Sequence, residues 1–364
     1  MIGFNYVSYA QDVIFAPGAL SRLRESLERF GWQRLMLCAS HSMRVGGQVA
    51  RIELNLGEKL IAIFDDVQPH IQDVQVRDAL ALAQEKDVDA IMGMGGGSPV
   101  GMAKAVGYQL HLPIVAIPTT YAGSEMTPVY GITQTDENPP RKVTVNDPKI
   151  VPSLVIYDPE LTLGLPPTLT ASTGINALAH CIEALYSKTH NPLSTAAAVE
   201  GVRHIHHALL RCFQNGQNVE ARTEMLLGSH LAGCSLASVS MGLHHGLCHV
   251  LGGAANVPHG IANGIILPHA IRFNVDATQL ILAADSMGIA VNGHHSTEVI
   301  EGLRQNIYEL IRQMNLPQRL REVGVSESDL PRLAEIAFHN RTVQNNPRPI
   351  TDVTQLESLL REAW

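Results

Sequence analysis

The sequence predicts an α/β fold: a doubly wound, Rossmann-like parallel-sheet domain over residues 1–160, followed by an all-α domain over 161–364. Three observations predict it. Short apolar runs alternate with amphipathic stretches up to about residue 160. Beyond "LTLGLPP" (161–167) strand signals give way to long helical patterns. A glycine cluster ends one of the strand-like runs and leads into a helix, as at a nucleotide-binding sheet edge.

The strand runs are "RLMLC" (34–38), "LIAIF" (60–64), "VDAIMGM" (88–94), "LPIVAIP" (112–118) and "SLVIYD" (153–158). Each is apolar, bounded and of strand length. Between them "ALSRLRESLERF" (19–30) and "VQVRDALALAQEK" (74–86) repeat apolar residues at helical spacing. Such alternation requires a parallel sheet covered on both faces. In the second half, "TASTGINALAHCIEALYS", "LSTAAAVEGVRHIHHALLRCF", "ARTEMLLGSHLAGCSLAS" and "STEVIEGLRQNIYELIRQM" are helical, and Pro166–Pro167 suits the turn that opens the first. With no long linker, the two domains are expected to pack closely around a cleft.

Composition excludes several classes. Hydrophobic residues make up 45% and charged residues 16%, as in a globular protein. A net charge of −8 and no Lys/Arg run argue against a nucleic-acid partner. The five cysteines are scattered without a CxxC pair, which suits a reduced compartment. The opening "MIGFNYVSYAQDVIFAPG" has no basic n-region with an apolar core, and no apolar stretch is long enough to span a bilayer. A cytoplasmic enzyme is expected, with neither membrane nor nucleic acid as partner.

Three motifs carry chemistry. In "GMGGGSPVGMAKAVG" (93–107), Gly95, Gly96 and Gly97 let backbone approach a diphosphate, while Ser98 and the first helical amides donate to it. "IPTTYAGSEMTP" (117–128) brings the hydroxyls of Thr119, Thr120, Tyr121 and Ser124 to the same sheet edge. The third is a histidine constellation. Asn176 and His180 are four apart on one helical pattern, as are His245 and His249, and His259 stands where a further helix begins. His180, His245 and His259 stand where three ligands of a divalent metal could sit, but the fourth place holds Asn176 rather than a carboxylate. His204, His206 and His207 have no partner motif and read as a partly solvated helix face.

Taken together, "GGGSxxxxAK", "IPTTxxGSE", "YDPELTLGLPP", "GxNAxAHxxEALYS" and "HxxxHxLGxxxxxPHGxAN…LPH" resemble the iron-containing alcohol dehydrogenase superfamily, with its dehydroquinate synthase-like fold. Asn176, Gly101, "PTTYAGSEMTP", "NPRP" (346–349) and the ending "LLREAW" are more similar to its maleylacetate reductase branch, whereas "VPHGIANGIILPH" (257–269) is similar to the general alcohol dehydrogenases. The resemblance implies NADH as cofactor, held by Gly95, Gly96, Gly97 and Ser98 at the diphosphate. Thr119, Thr120, Lys142 and Leu161 would lie near the nicotinamide ribose. It implies a homodimer. At the second strand "CASHS" (38–42) lacks the acidic residue that grips the adenosine ribose, so NADPH is expected to be accepted too.

The same branch, with neutral Asn176 in place of a carboxylate, leads to the expectation of a metal-free site. In that reading His180, His245, His249 and His259, with Asn176, are catalytic. One imidazole stabilises the enolate oxygen formed when hydride adds to the conjugated double bond of maleylacetate, a second delivers the proton, and a protonated ring attracts the dicarboxylate. The product is 3-oxoadipate, in hydroxyquinol-type aromatic catabolism. Which ring does which is left open. The alternative is a metal-dependent alcohol dehydrogenase or aldehyde reductase of the same superfamily.

Overall fold

The computed structural model describes residues 3–135 and 141–364, except for the side chains of Arg141 and Lys142. It divides into two compact units. One comprises Ser8–Leu165 with Gln217–Leu226, and the other Pro166–Gly216 and Leu227–Trp364 with the segment ending at Val7.

The first unit is built on strands β1 (Asp12–Phe15), β2 (Leu35–Ala39), β3 (Leu60–Phe64), β4 (Ala90–Gly95), β5 (Ile114–Pro118), β6 (Val129–Gln134), β7 (Arg141–Asn146) and β8 (Leu154–Tyr157). Six of them form a sheet in the order β1-β8-β5-β4-β2-β3, with every pairing parallel. Helices α1 (Leu23–Phe30), α2 (His41–Val45), α3 (Gln48–Leu56), α4 (Asp73–Glu85) and α5 (Gly97–Leu110) cover it. The period-two alternation of strand side chains decides which residue meets which layer. Leu35, Leu37 and Ala39 pack with Leu23, Leu27, Ile52 and Leu56, whereas Met36 and Cys38 pack with Ala79, Ala83, Met102 and Val106. Both faces are therefore buried, as a doubly wound sheet requires.

The expected five strand runs fall on β2, β3, β4, β5 and β8. β1 and the antiparallel β6–β7 pair are additions. The chain leaves β2 for β3 on one side and returns to β4 on the other. The sheet's topological switch point therefore lies between β2 and β4, with Ala39 beside Met94.

The second unit is helical: α6 (Pro167–Tyr186), α7 (Pro192–Gln214), the later part of α8 (Val219–Ser238), α9 (Leu243–Ala255), α10 (His259–Phe273), α11 (Leu280–Ser286), α12 (Ser296–Gln313), α13 (Leu330–Phe338), α14 (Arg341–Gln344) and α15 (Val353–Ala363). From Thr170 onward α6 is buried on nearly all sides except at Thr173, which makes it the central rod of the unit. A Cβ on Gly260 would sit 2.9 Å from the Cβ of Ser172 and 3.0 Å from its carbonyl oxygen, so glycine lets the first turn of α10 lie directly on α6. Leu247 and Leu251 of α9 share a core with Ile265, Ile266, Leu333 and Leu356. Among the described residues, no single helix is long and apolar enough to cross a membrane. Among the described residues, no disulfide joins the five cysteines.

Candidate active site

In the sheet unit, the glycine motif turns from β4 into α5 at the switch point. Gly95 has φ +141°, a conformation L side chains rarely adopt, and its Cβ would meet the Pro99 ring at 2.8 Å. Gly96 is the N-cap of α5 and brings no side chain to its open amides. A Cβ on Gly97 would meet nothing within 4 Å, and Gly97 is exposed. The first turn of α5 thus presents backbone N–H groups to open space, a cradle that the glycine at 97 leaves clear. Ser98 is half-buried on the same turn, and Thr120 packs against Gly96.

Other predicted cofactor residues fall differently. Thr119 is buried and its hydroxyl donates to the sulfur of Met43 at 3.8 Å. Leu161 packs in the core with Leu20 and Ile156. Lys142 pairs with Thr133 in the hairpin, and its side chain lies outside the described residues. Tyr121 is buried with its hydroxyl accepting from Arg222 at 2.9 Å, which removes it from any cofactor wall. Lys104, fully buried on α5, donates to the carbonyls of Ser124 (2.5 Å), Thr127 (2.6 Å) and Val129 (3.0 Å), so it pins the loop after β5 to α5. Burial pushes its pKa down to about 7, against the pull of Glu125.

In the helical unit, α6, α9 and α10 bring the predicted histidines together. His180 stacks on His245 with ring centroids 4.6 Å apart, His245 lies 6.2 Å from His259, and His259 stacks on His249 at 5.7 Å. Asn176 (6% exposed), His180 (4%) and His245 (3%) are buried, whereas His249 and His259 are exposed. The Asn176 Oδ1, His180 Nδ1 and His245 Nε2 atoms are buried and have no hydrogen-bond partner. Such atoms cost on the order of 1–3 kcal/mol each unless a ligand partners them. His204, His206 and His207 lie elsewhere on α7, where His206 Nε2 meets Asn306 at 3.0 Å.

Burial holds the pKa values of His180 and His245 well below the ordinary histidine range, and the neighbouring imidazoles push them further down. Both rings are therefore neutral at neutral pH, so neither is the protonated ring expected to attract a dianion. Neutral imidazoles and an amide oxygen are instead lone-pair donors.

Residues 10–159 match the iron-containing alcohol dehydrogenase family, and residues 170–364 match the C-terminal part of the Fe-containing alcohol dehydrogenase family. The chain belongs to the iron-containing alcohol dehydrogenase family. It is 37% identical over 353 residues to a maleylacetate reductase of Pseudomonas knackmussii, which covers 97% of this chain and 95% of that protein. The structure of maleylacetate reductase from Agrobacterium tumefaciens superposes with a TM-score of 0.90 at 32% identity, covering 100% of this chain and 99% of that one. A 1,3-propanediol oxidoreductase gives a TM-score of 0.94 at 32% identity, with 100% of both chains covered.

Family membership corrects one expectation. A site without metal does not stand: both halves match an iron-containing family, and Glu183, His244 and His245 bring potential ligand atoms within 4.8 Å of one another in a buried cluster. The neutral amide of Asn176 does not exclude a metal. A neutral oxygen still coordinates a hard cation, and two neutral imidazoles beside it complete a suitable donor set. The partnerless atoms of Asn176, His180 and His245 fit a divalent ion.

The sequence reading missed Glu183, His244 and Asn263. Glu183 is fully buried; burial pushes its pKa up, while His244 and the backbone amides of His245, His244 and Gly242 pull it down. A signal was present, because Glu183 is the only acidic residue in α6 and stands in an apolar run three residues after His180.

Proposed function

We propose that the chain is an NAD(P)H-dependent maleylacetate reductase, which reduces the conjugated double bond of maleylacetate to give 3-oxoadipate in aromatic catabolism. The observation that carries this reading is the chain-length likeness to maleylacetate reductases, in a protein whose fourth ligand position is a neutral Asn176. A homodimer in the cytoplasm is the assembly and location that the resemblance supports.

Gly95, Gly96, Gly97 and Ser98 at the start of α5 would hold the diphosphate of a dinucleotide, which would supply the hydride. Asn176, His180, His245 and His259 would hold a divalent cation, which would supply positive charge beside the ketone oxygen of a substrate whose alkene carbon remote from the ketone takes the hydride. Asn176 keeps a second negative charge away from the substrate's carboxylates. A like-charge pair 4 Å apart near a protein surface costs about 4 kcal/mol. His249, exposed one turn beyond His245, has access to water and delivers the proton to the carbon next to the ketone. The buried, neutral rings of His180 and His245 exclude water from the reacting end and bring no charge of their own.

The test is an NADH-oxidation screen across unsaturated keto-dicarboxylates and simple aldehydes. Turnover confined to the aldehydes would remove the reading. His249→Ala should lower kcat by roughly 100-fold or more with NADH affinity retained. A second reading, a metal-dependent alcohol dehydrogenase, is favoured by "VPHGIANGIILPH" and by the likeness to 1,3-propanediol oxidoreductase. Oxidation of simple alcohols with Fe²⁺ or Zn²⁺ would support it.

A further inference from the structure

We infer that Glu183 is a positioning residue that fixes His245 as its Nδ1–H tautomer and so turns a bare Nε2 lone pair toward the metal position. This rests on the metal-dependent reading above.

The hydrogen-bond pattern leaves His245 little choice. Glu183 Oε1 accepts from the backbone N–H of Gly242 (3.1 Å) and of His244 (2.9 Å). Its Oε2 accepts from the backbone N–H of His245 (3.2 Å) and faces His245 Nδ1 at 2.5 Å. The carboxylate thus caps α9 from another helix, at a terminus whose own N-cap, Gly242, brings no side chain. A carboxylate that receives three backbone N–H groups has only lone pairs to offer, so the facing ring nitrogen must bring the proton.

His244 points the same way. Its Nε2 meets the carbonyl oxygen of Asn263 at 3.1 Å, which can only accept, so that nitrogen carries the proton. Its Nδ1 is then an acceptor, 3.2 Å from His245 Nδ1. Both neighbours of His245 Nδ1 are acceptors. Asn263 also donates its side-chain amide to the carbonyl of His259 at 2.7 Å, which ties the network to the first turn of α10. The lone pairs of Glu183 and His244 are therefore spent on one another's neighbours. Within the buried cluster of Glu183, His244 and His245, the first two thus orient the third, which offers its ligand atom to the ion. The open donor is His245 Nε2, buried without a partner.

Glu183→Gln tests this. The amide keeps the size of the side chain but can present N–H to His245 Nδ1, which moves the ring proton onto Nε2 and blocks it as a ligand. Zn²⁺ affinity measured by chelator competition should fall roughly 10- to 100-fold, the usual effect of losing such a partner, while NADH affinity is unchanged. A variant that binds Zn²⁺ as tightly as the wild type overturns the inference. Should the variant not fold, long-range ¹H–¹⁵N spectra of metal-free, histidine-labelled wild type decide, with His245 assigned from His245→Gln. The Nδ1–H tautomer is expected, and an Nε2–H tautomer overturns the inference. Wild type that takes up no ion removes the metal reading and leaves the tautomer spectrum to decide this one.

Discussion

A methyl group added at Gly97 should separate cofactor binding from folding. Its Cβ would meet nothing within 4 Å, and the residue has ordinary helical backbone at the first position of α5. Gly97→Ala therefore strains nothing, and restricting the unfolded chain stabilises the fold by about 0.4–1 kcal/mol. The same methyl group occupies the space in front of the α5 amides. Losing one N–H bond to a charged phosphate costs about 1.5–3 kcal/mol, which is roughly 10- to 100-fold in affinity. Gly93→Ala is the control. Its Cβ would lie 2.7 Å from the carbonyl oxygen of Pro99 and 2.8 Å from the Cα of Val100, so β4 and α5 must move apart. Overpacking of that kind costs about 1–3 kcal/mol. NADH fluorescence titration and thermal unfolding of both variants give the comparison. Wild-type NADH affinity in Gly97→Ala, or a Tm loss matching that of Gly93→Ala, would refute the cradle.

Asn176→Asp should tighten Fe²⁺ or Zn²⁺ binding at least about tenfold by adding a negative ligand, and raise the KM for maleylacetate by repelling its carboxylates; competition titration and steady-state kinetics check both. Lys104→Met keeps the volume but leaves the carbonyls of Ser124, Thr127 and Val129 without their donor, so denaturant unfolding should show a loss of about 3 kcal/mol or more. His180, His244, His245 and His269 all have depressed pKa values from burial, His269 at about 4. The unfolded chain takes up these protons near pH 6.5 and the native state does not. Stability of the metal-free protein is thus intact above pH 6.5 and falls as pH drops from there toward 4, by at most about 1.4 kcal/mol per pH unit for each ring. A flat Tm over that range contradicts the neutral assignment. Just past β2, Ser40, His41 and Ser42 bring no acidic group, so kcat/KM for NADPH should lie within about tenfold of that for NADH.

Much of the fold was legible because its signals are local. Buried strands such as Leu35–Ala39 are continuous apolar runs, and α7 and α12 keep helical spacing over several turns. β1 was missed because four residues at a sheet edge, three of them half-buried, carry too short a pattern. The β6–β7 hairpin was missed because "VYGITQ" and "RKVTVN" mix polar and apolar residues and pair antiparallel with each other, outside the six-stranded sheet. Within the site, the i,i+4 pairs Asn176/His180 and His245/His249 and the helix start at His259 could be read directly. Two things could not. Whether an imidazole is charged depends on burial, which the sequence of α9 does not state. That Glu183 faces His245 depends on α6 crossing the N-terminus of α9, a contact 62 residues apart in the chain.

The most direct test of the account is NADH oxidation with maleylacetate by the purified protein, before chelation, after it, and after Fe²⁺ is restored. Saturable turnover that is lost with the ion and regained on its return is the expected result. No turnover with maleylacetate, or turnover indifferent to complete removal of metal, would contradict it.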